Sequence, residues 1–393
     1  MTHTKRILDT AGLKQILASK LPLKNMVFQG LDLNEVPIET WTEQDIKGAM
    51  CLGCNYSPEL GALLRERKAL LFPKFEELPY DPFRTNLYTP LELRQADTKG
   101  RTLDEAIYDH FLENGRFNPD FAEALAQRIH DYSIEDGLSE LLGRSCEERA
   151  KLVGIMGGHA VRRDDPMYAS VAELAWRLAR AGYRVATGGG PGIMEAGNLG
   201  AYMANYDPPQ VAHAIEILST VPVAHMENPE YTARAAEVLS QYSDGAASLA
   251  IPTWFYGFEP TSLFPSHVAK YFSNSLREDG LLALCVGGVV YAPGSAGTNQ
   301  EIFLDAAQNH YGSLDVISPM VFFGRDHYMR DTGIYHLLQQ LACGQAYGRM
   351  LAITDSAEDA VRFLQKHPPI LNPDTDPSPV RPAKISDPEP KVS

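Results

Sequence analysis

The chain has 393 residues, enough to bury a large core and to form two domains. It contains 35 Lys and Arg against 50 Asp and Glu, so its formal net charge is −15. This acidic balance argues against a general nucleic-acid surface and against binding to an anionic membrane, so any anion site has to be local. Hydrophobic residues make up 44% of the chain, an ordinary fraction for a globular protein.

The N-terminal stretch MTHTKRILDTAGLKQIL lacks the apolar core of a signal peptide. Nowhere in the sequence does an apolar run reach the length needed to cross a bilayer. We therefore expect a cytoplasmic protein that has neither a membrane nor a nucleic acid as its partner.

The five cysteines are scattered and odd in number, a pattern that does not indicate a disulfide framework. Cys51 and Cys54 form a C-x-x-C motif, which could be half of a metal site or a redox pair. No second C-x-x-C or H-x-x-x-H follows to complete four ligands. We expect both cysteines to be small buried residues, and we expect no metal.

Residues 1–100 are predicted to form a small mixed α/β domain. An amphipathic helix around residues 8–21 leads into the strand-like segments NMVFQGLDL and GAMCLGC and into residues 70–75, with Pro and Gly between them. Residues 101–150 carry apolar side chains at helical spacing and are predicted to form a helical connection.

At Lys151 the pattern changes to that of a parallel α/β fold. The stretch KLVGIMGGHAVRRDDPMYASVAELAWRLARAGYRVATGGGPG predicts a strand, a Gly-Gly-His loop, a helix, a strand and a glycine-rich loop, which is one right-handed βαβ unit. Both loops follow strand ends, so they lie at the edge of the sheet where ligands bind in open α/β folds. The candidate ligand contacts in these loops are Gly157, Gly158, His159, Gly188, Gly189, Gly190 and Gly192. For His159, a hydrogen bond within the loop is an equally good interpretation.

Residues 207–245 are predicted to form a helical excursion, followed by a strand in SLAIPTWFYG. Pro265 and Ser266 are predicted to open a helix that carries Lys270, Asn274 and Arg277 on one face, since these residues are three to four apart. Cations on a helix face usually lie in water, so this pattern alone favours solvent exposure over a ligand-binding role.

The stretch VVYAPGSAGTNQEIF, residues 289–303, predicts a strand, a tight loop and the start of a helix. Small residues let the backbone approach a ligand, and the first N–H groups of a helix favour an anion. Thr298 and Glu301 also fit a Thr-x-x-Glu capping box, which is a purely structural interpretation. With the glycine-rich loop at residues 188–192, this second phosphate-type loop indicates one ligand held from both sides.

Downstream of that loop the pattern predicts another strand in SPMVFFGRD and helices in GIYHLLQQLACG and DSAEDAVRFLQKH. The α/β domain is therefore predicted to span residues 151–367. The tail from 368 to 393 is rich in Pro and poor in core residues, and it is predicted to be disordered.

The segments GGGPGIMEA (residues 188–196) and PGSAGTNQE (residues 293–301) resemble the two signatures of the LOG ("Lonely guy") family, also labelled lysine-decarboxylase-like. The second signature of that family is P-G-G-x-G-T-x-x-E, and Ser295 stands at its second glycine. Together with VGIMGGHAVRRDDPMYASVAELAWRL, the first segment is most similar to the larger bacterial pyrimidine/purine 5′-monophosphate nucleosidases of that superfamily. The resemblance covers residues 151–367 and implies a LOG-type, Rossmann-like, doubly wound parallel sheet.

The resemblance also implies an activity: hydrolysis of the N-glycosidic bond of a nucleoside 5′-monophosphate to free base and ribose 5-phosphate, without a metal or redox cofactor. Glu301 is the candidate catalytic carboxylate, since cleavage builds positive charge on the ribose and needs an activated water. Arg277 is the nearest match to the arginine of the family, and Lys270 is its rival as the phosphate cation. LOG-type proteins dimerise, so a homodimer or higher homo-oligomer is expected.

Other site residues follow from the same resemblance. Glu195 is a candidate for binding the ribose hydroxyls, although a glutamate in the first turn of a helix is equally explained by the helix dipole. The residues expected to hold the phosphate are Gly294, Ser295, Gly297 and Thr298.

Two alternative functions remain on the same scaffold. The first is a non-catalytic nucleotide sensor, suggested by Ser295 and by the additional N-terminal region. The second is a dinucleotide oxidoreductase, but the loops GGGPG and PGSAGT do not match G-x-G-x-x-G. A pyridoxal-phosphate decarboxylase would need a Schiff-base lysine in the site, and neither loop contains one.

Overall fold

The computed structural model describes residues 6–19, 21–98, 100–224, 229–257 and 261–372. Its strands are β1 (Arg6–Ile7), β2 (Val27–Gln29), β3 (Met50–Leu52), β4 (Leu70–Phe72), β5 (Leu152–Met156), β6 (Arg184–Thr187), β7 (Leu249–Ala250), β8 (His267–Val268), β9 (Val289–Tyr291), β10 (Val316–Ile317), β11 (Met320–Phe323), β12 (Leu351–Thr354) and β13 (Ile370–Leu371). Its α-helices are α1 (Thr10–Ala18), α2 (Ile38–Thr42), α3 (Pro58–Glu66), α4 (Pro90–Leu93), α5 (Leu103–Glu113), α6 (Phe121–Leu142), α7 (Cys146–Arg149), α8 (Pro166–Arg180), α9 (Ile193–Tyr202), α10 (Pro208–Ser219), α11 (Pro229–Gln241), α12 (Asn274–Leu284), α13 (Ala296–Tyr311), α14 (Ile334–Leu341) and α15 (Ala357–Lys366).

The chain divides into two compact units. The first unit consists of residues 1–87 and 96–138, and the second consists of residues 88–95 and 139–393. Helix α5 and most of α6 therefore group with the N-terminal residues, whereas the sequence pattern had suggested a separate helical connection over residues 101–150.

The first unit contains a parallel sheet of four strands in the order β1-β2-β3-β4. Helix α3 follows a Ser57 cap and opens on Pro58, so its N-terminus is specified by the local sequence. The core of this unit includes Phe28 and Trp41, whose rings meet edge to face at 5.8 Å.

Both cysteines of the C-x-x-C motif lie in this core. Burial raises the pKa of the Cys51 thiol to about 12 and that of the Cys54 thiol to about 11. Cys54 Sγ donates to the carbonyl oxygen of Phe28 at 3.3 Å. Both side chains are therefore neutral thiols at pH 7 and are shielded from solvent.

The second unit is built on a parallel sheet of seven strands in the order β12-β11-β9-β5-β6-β7-β8. From β5 the chain winds outward through β6, β7 and β8, then returns to the other side of β5 for β9, β11 and β12. The reversal of strand order between β5 and β9 defines a doubly wound sheet. The predicted Rossmann-like α/β class is thus confirmed by the sheet order.

Helix α8 shows how the local sequence places the layers of the second unit. The Asp165 carboxylate accepts from the backbone N–H of Met167, and Pro166 occupies the first helical turn. Leu174 and Leu178 are fully buried against the sheet. Gly182 follows the helix with a φ of +81°, a conformation that glycine adopts without strain.

The helix predicted to open at Pro265 begins nine residues later, at Asn274. His267 and Val268 instead extend as β8, because Val268 pairs with Ala250 and is fully buried at the edge of the sheet. Lys270 therefore lies in the segment between β8 and α12 and does not share a helix face with Arg277. This prediction from the sequence was wrong.

The C-terminal end of the described chain is a short strand. Ile370 and Leu371 form β13, which pairs antiparallel with β10. Most of the stretch predicted to be a disordered tail, residues 373–393, lies outside the described residues. Within the described ranges, no helix combines the length and the apolar character that crossing a bilayer requires.

Candidate active site

A cavity of about 150 Å³ opens where the loops after the strands of the second sheet meet. It lies at the carboxyl edge, beside the point between β5 and β9 where the strand order reverses, which is the usual ligand position in such sheets. The predicted site residues that line it are Gly157, Gly158, His159, Gly188, Gly189, Gly190, Lys270, Arg277, Ser295, Gly297, Thr298 and Glu301.

The Gly158 peptide joins the three loops of this cavity. Its N–H donates to the carbonyl oxygen of Pro293 at 2.9 Å, and its carbonyl oxygen accepts from the N–H of Ile193 at 3.1 Å. A Cβ on Gly157 would lie 2.6 Å from the side chain of Ile193. Glycine is therefore needed here because the loops pack directly on one another.

The glycine-rich loop after β6 is held from beneath by buried polar side chains. The Thr187 hydroxyl oxygen accepts from the N–H of Gly189 at 3.0 Å, and the hydroxyl donates to Asn198 Oδ1 at 2.7 Å. Gly192, at a φ of +67°, is the N-cap of α9. A Cβ on Gly192 would come within 2.5 Å of the Gly158 carbonyl oxygen. Gly192 supports the loop and is not among the described residues that line the cavity.

Glu195, predicted as a contact to the ribose, is occupied by protein groups. The Arg163 guanidinium donates to both of its oxygens, at 2.6 and 2.8 Å, and the hydroxyls of Tyr168 and Tyr231 donate to Oε2 at 3.1 and 2.7 Å. Arg163 and Glu195 are almost fully buried. Glu195 thus links α9 to Arg163, to Tyr168 of α8 and to Tyr231 of α11. It is not among the described residues lining the cavity.

The loop after β9 delivers the N-terminus of α13 to the cavity. The helix begins at Ala296 with Ser295 as its N-cap, three residues before Thr298, the cap that the sequence suggested. Thr298 therefore lies in the first turn, and the predicted capping box with Glu301 does not form. Ser295 has a φ of −117°, so a side chain is tolerated where the LOG signature has glycine.

Gly294 has a different role in this loop. A Cβ at this position would overlap the Thr298 side chain, so only glycine allows the loop to close over the first turn of α13. Gly294 shapes the loop, while its neighbours Ser295, Gly297 and Thr298 face the cavity. The N–H groups of a first helical turn have no acceptor within the helix and, with the helix dipole, favour a bound anion.

Glu301 and Arg277 meet in this cavity. Glu301 Oε1 lies 3.5 Å from Arg277 Nη1, and the two side chains are 13% and 10% exposed. Burial raises the pKa of the Glu301 carboxyl to about 7, with Arg277 opposing the shift and Glu278 adding to it. A carboxyl with a pKa near neutrality can accept or release a proton at physiological pH.

Further polar groups surround the Arg277 guanidinium. Its Nη2 donates to Asn274 Oδ1 at 2.7 Å and lies 3.7 Å from Glu278 Oε1. Its Nε is buried, and no acceptor among the described residues lies within hydrogen-bond distance of it. The arginine is therefore held between the carboxylates of Glu278 and Glu301.

Lys270 enters the cavity from the end of β8. It is 2% exposed, and its Nζ lies 3.3 Å from Thr261 Oγ1 and 5.2 Å from the centre of the Trp254 ring. Arg277, by contrast, contacts Glu301. The two cations that the sequence set as rivals for one role thus occupy different positions in the same cavity.

Several lining residues were missed by the sequence analysis. They lie in the segment that follows β7, where the pattern predicted a strand but assigned no chemistry, and in the apolar strand and helix ends beside the glycine loops. The missed residues after β7 could have been predicted from the rule that ligands contact the loops at the carboxyl edge of a parallel sheet. The missed residues are Met156, Met194, Pro252, Thr253, Tyr256, Gly257 and Thr261.

Comparison with known proteins gives structural matches alone. The Moco carrier protein from Chlamydomonas reinhardtii matches with a TM-score of 0.35 and 15% identity, over 55% of this chain and 98% of that protein. The molybdenum cofactor binding protein from Rippkaea orientalis matches with a TM-score of 0.33 and 14% identity, over 55% of this chain and 96% of that protein. These matches carry no conclusion about what this chain binds.

No protein-family model matches the chain, and no curated protein is significantly similar to it.

Proposed function

We propose that the second unit is a nucleoside 5′-monophosphate nucleosidase, which hydrolyses the N-glycosidic bond to free base and ribose 5-phosphate. The observation that carries this proposal is the Glu301–Arg277 pair, a carboxyl with a pKa near 7 facing a cavity that also receives the N-terminus of α13. A carboxylate and an anion site one helical turn apart on α13, in one cavity, suit a phosphorylated sugar that gains positive charge as it reacts.

The helix terminus is the proposed phosphate site. Ser295, Gly297 and Thr298 line the cavity at the first turn of α13 and offer backbone N–H groups and two hydroxyls. Arg277 adds a fixed positive charge on the Glu301 side of the cavity. The glycine loop at residues 188–190 lets the sugar approach the backbone closely.

Glu301 is the proposed general base. As the bond between C1 of the ribose and the base breaks, its electron pair leaves with the base and positive charge develops on the sugar ring. The ionised Glu301 stabilises this charge and takes a proton from the attacking water, whose oxygen bonds to C1. The products are ribose 5-phosphate and the free base, which acquires the proton.

The decisive experiment is a chromatographic assay of base release from a panel of ribo- and deoxyribonucleoside monophosphates. We expect Glu301→Gln to lower the rate by about 10²- to 10⁴-fold, the range for loss of a general acid–base group. Because the amide keeps the shape of the side chain, a monophosphate is still expected to raise the Tm of this variant. Glu216→Gln, on the exposed side of α10, is the matched control and should leave the rate unchanged.

Retained turnover in Glu301→Gln would contradict the mechanism. Absence of base release by the wild-type protein, with a monophosphate still raising the Tm, would instead support the nucleotide-sensor hypothesis. The geometry weakens one motive for that alternative, since Ser295 occupies its place at a negative φ that any residue can adopt.

We further propose that the protein acts in the cytoplasm as a homodimer or higher homo-oligomer, without metal or redox cofactor. This proposal rests on the LOG-type motifs alone. Light scattering after gel filtration would measure the assembly, and base release that persists in EDTA would support metal-independent hydrolysis.

A further inference from the structure

Tyr256 lines the cavity, with a hydroxyl held by hydrogen bonds and a ring exposed to solvent. The hydroxyl oxygen accepts from Asn274 Nδ2 at 2.9 Å, and the hydroxyl donates to Glu278 Oε1 at 3.2 Å. Both partners lie on α12, which is anchored in the second unit by its buried residues. The side chain is therefore held at its tip by a helix that does not belong to its own loop.

The ring of Tyr256 remains accessible. The residue is 60% exposed although it lines the cavity, and its ring meets Phe255 edge to face at 5.3 Å. Among the described lining residues, it is the one aromatic side chain besides the imidazole of His159. An exposed aromatic face that is held rigidly at the mouth of a polar cavity is suited to stacking on a planar ligand.

The same hydrogen bonds link Tyr256 to the helix that carries Glu301. Glu278 accepts from Tyr256 through Oε1 and from Gln300 Nε2 through Oε2, the latter at 2.7 Å. Gln300 directly precedes Glu301 on α13. Tyr256 is thus linked through one carboxylate to the turn of helix that carries the proposed general base.

We infer that Tyr256 is the residue on which the base of the substrate stacks. The inference rests on the proposed function, since the sugar carbon attacked by water must lie at Glu301 and carries the base. With the phosphate at the first turn of α13 and the sugar carbon at Glu301, the base needs an aromatic contact near that helix, and Tyr256 is bonded to Glu278, which also accepts from Gln300 of α13. Stacking uses the faces of the base, which every nucleobase has.

The test is isothermal titration calorimetry in the Glu301→Gln background, which binds without turnover. AMP and ribose 5-phosphate are the two probes, because they share the phosphate and sugar and differ in the base. Tyr256→Ala is expected to raise the Kd of AMP about five- to 150-fold, the range for loss of one base–aromatic stack, and to leave the Kd of ribose 5-phosphate within about twofold. Tyr256→Phe, which keeps the ring, should retain most of the AMP affinity.

Tyr311→Ala is the matched control, since Tyr311 is 80% exposed at the end of α13 and is not among the described lining residues. It should change neither Kd. A Tm within a few degrees of the parent shows that each variant is folded, as expected for substitution of an exposed ring.

Two results would overturn the inference: an unchanged Kd of AMP in Tyr256→Ala, or an equal rise for AMP and ribose 5-phosphate, which would mean that the residue shapes the cavity without contacting the base. Failure of the proposed function would look different. If the wild-type protein releases no base but Tyr256→Ala selectively weakens the binding of AMP, the stacking role is supported and the nucleosidase proposal is rejected. If the wild-type protein releases base but Tyr256→Ala does not selectively weaken the binding of AMP, the nucleosidase proposal is supported and the stacking role is rejected.

Discussion

At the scale of single residues, burial disfavours the ionised form of two carboxyl groups on α13. Burial raises the pKa of both Glu301 and Asp305 to about 7. Asp305 lies one turn after Glu301 and accepts from the Tyr291 hydroxyl at 2.7 Å and from Asn309 Nδ2 at 3.0 Å. Of the two, only Glu301 is among the described residues that line the cavity. Burial thus raises the pKa of one candidate catalytic carboxyl and of one carboxyl that serves the interior of the protein.

These shifts predict how stability depends on pH. The ordinary pKa of a glutamate is 4.5, so between pH 4.5 and about 7 the folded protein keeps a proton on Glu301 that the unfolded chain releases. The stabilisation is fully present below pH 4.5 and is lost as the pH rises through about 7. The glutamine of Glu301→Gln cannot titrate. From pH 4.5 to above pH 7, the free energy of unfolding of the wild-type protein should therefore fall by on the order of 3 kcal/mol more than that of the variant.

Urea denaturation of both proteins at intervals from pH 4.5 to 8, followed by hydrogen exchange of α13 peptides, measures this difference. Asp305 titrates in both proteins and therefore cancels in the comparison. Parallel pH profiles for wild type and Glu301→Gln would show that the Glu301 carboxyl has an ordinary pKa in the folded protein.

At the scale of elements, the packing of α8 on α9 depends on one glycine. A Cβ on Gly200 would overlap the backbone carbonyl of Ala172 in α8, and Gly200 is buried. The two helices therefore approach to backbone contact at this point. Since α9 starts from the glycine loop of the cavity, this contact also sets the position of that loop relative to α8.

We predict that Gly200→Ala destabilises the second unit by about 1–3 kcal/mol, the usual cost of overpacking, because the backbones must separate. Gly280→Ala is the matched control. Gly280 is also a glycine within a helix, α12, but no described atom would come within 4 Å of an added Cβ, so this change should stabilise the protein by about 0.5–1 kcal/mol. Urea denaturation measures both, and a destabilisation of equal size in the two variants would contradict the packing argument.

At the scale of the whole molecule, each of the two units contains its own hydrophobic core. Leu33 is fully buried in the core of the first unit, and Leu174 is fully buried in that of the second. Both cores contain many apolar side chains clustered within one unit, and this is the condition under which a domain holds its own structure. Stability is therefore expected to be a property of each unit.

Leu33→Ala and Leu174→Ala should each lower the stability of one unit by about 2–5 kcal/mol, the usual cost of truncating a buried leucine. Hydrogen exchange with peptide resolution reads this out. The first change is expected to accelerate exchange in β2, β3 and α3, and the second in α8, β5 and β6, each without effect on the other set. Accelerated exchange of both sets by either substitution would show that the molecule unfolds as one cooperative body.

Local patterns of the sequence specified much of the second unit. The strand, loop and helix order after Lys151 and both glycine-rich loops were identified because glycine spacing, helix-start residues and apolar periodicity depend on near neighbours. Glu301 was proposed as a catalytic residue from the resemblance to the LOG signatures, since the local pattern indicated only a capping box. The parallel sheet and its ligand edge follow from the same patterns through the handedness of the βαβ unit.

Partners far apart along the chain were decided by the tertiary structure. Glu195 looked like a ligand residue, and only the fold shows that Arg163, Tyr168 and Tyr231 enclose it. His267 and Val268 looked like the start of a helix and became a strand because a neighbouring strand was there to pair with them. Desolvation also acts through the whole fold, so the raised pKa of Glu301 and the anchored ring of Tyr256 are consequences of packing that the order of residues does not display.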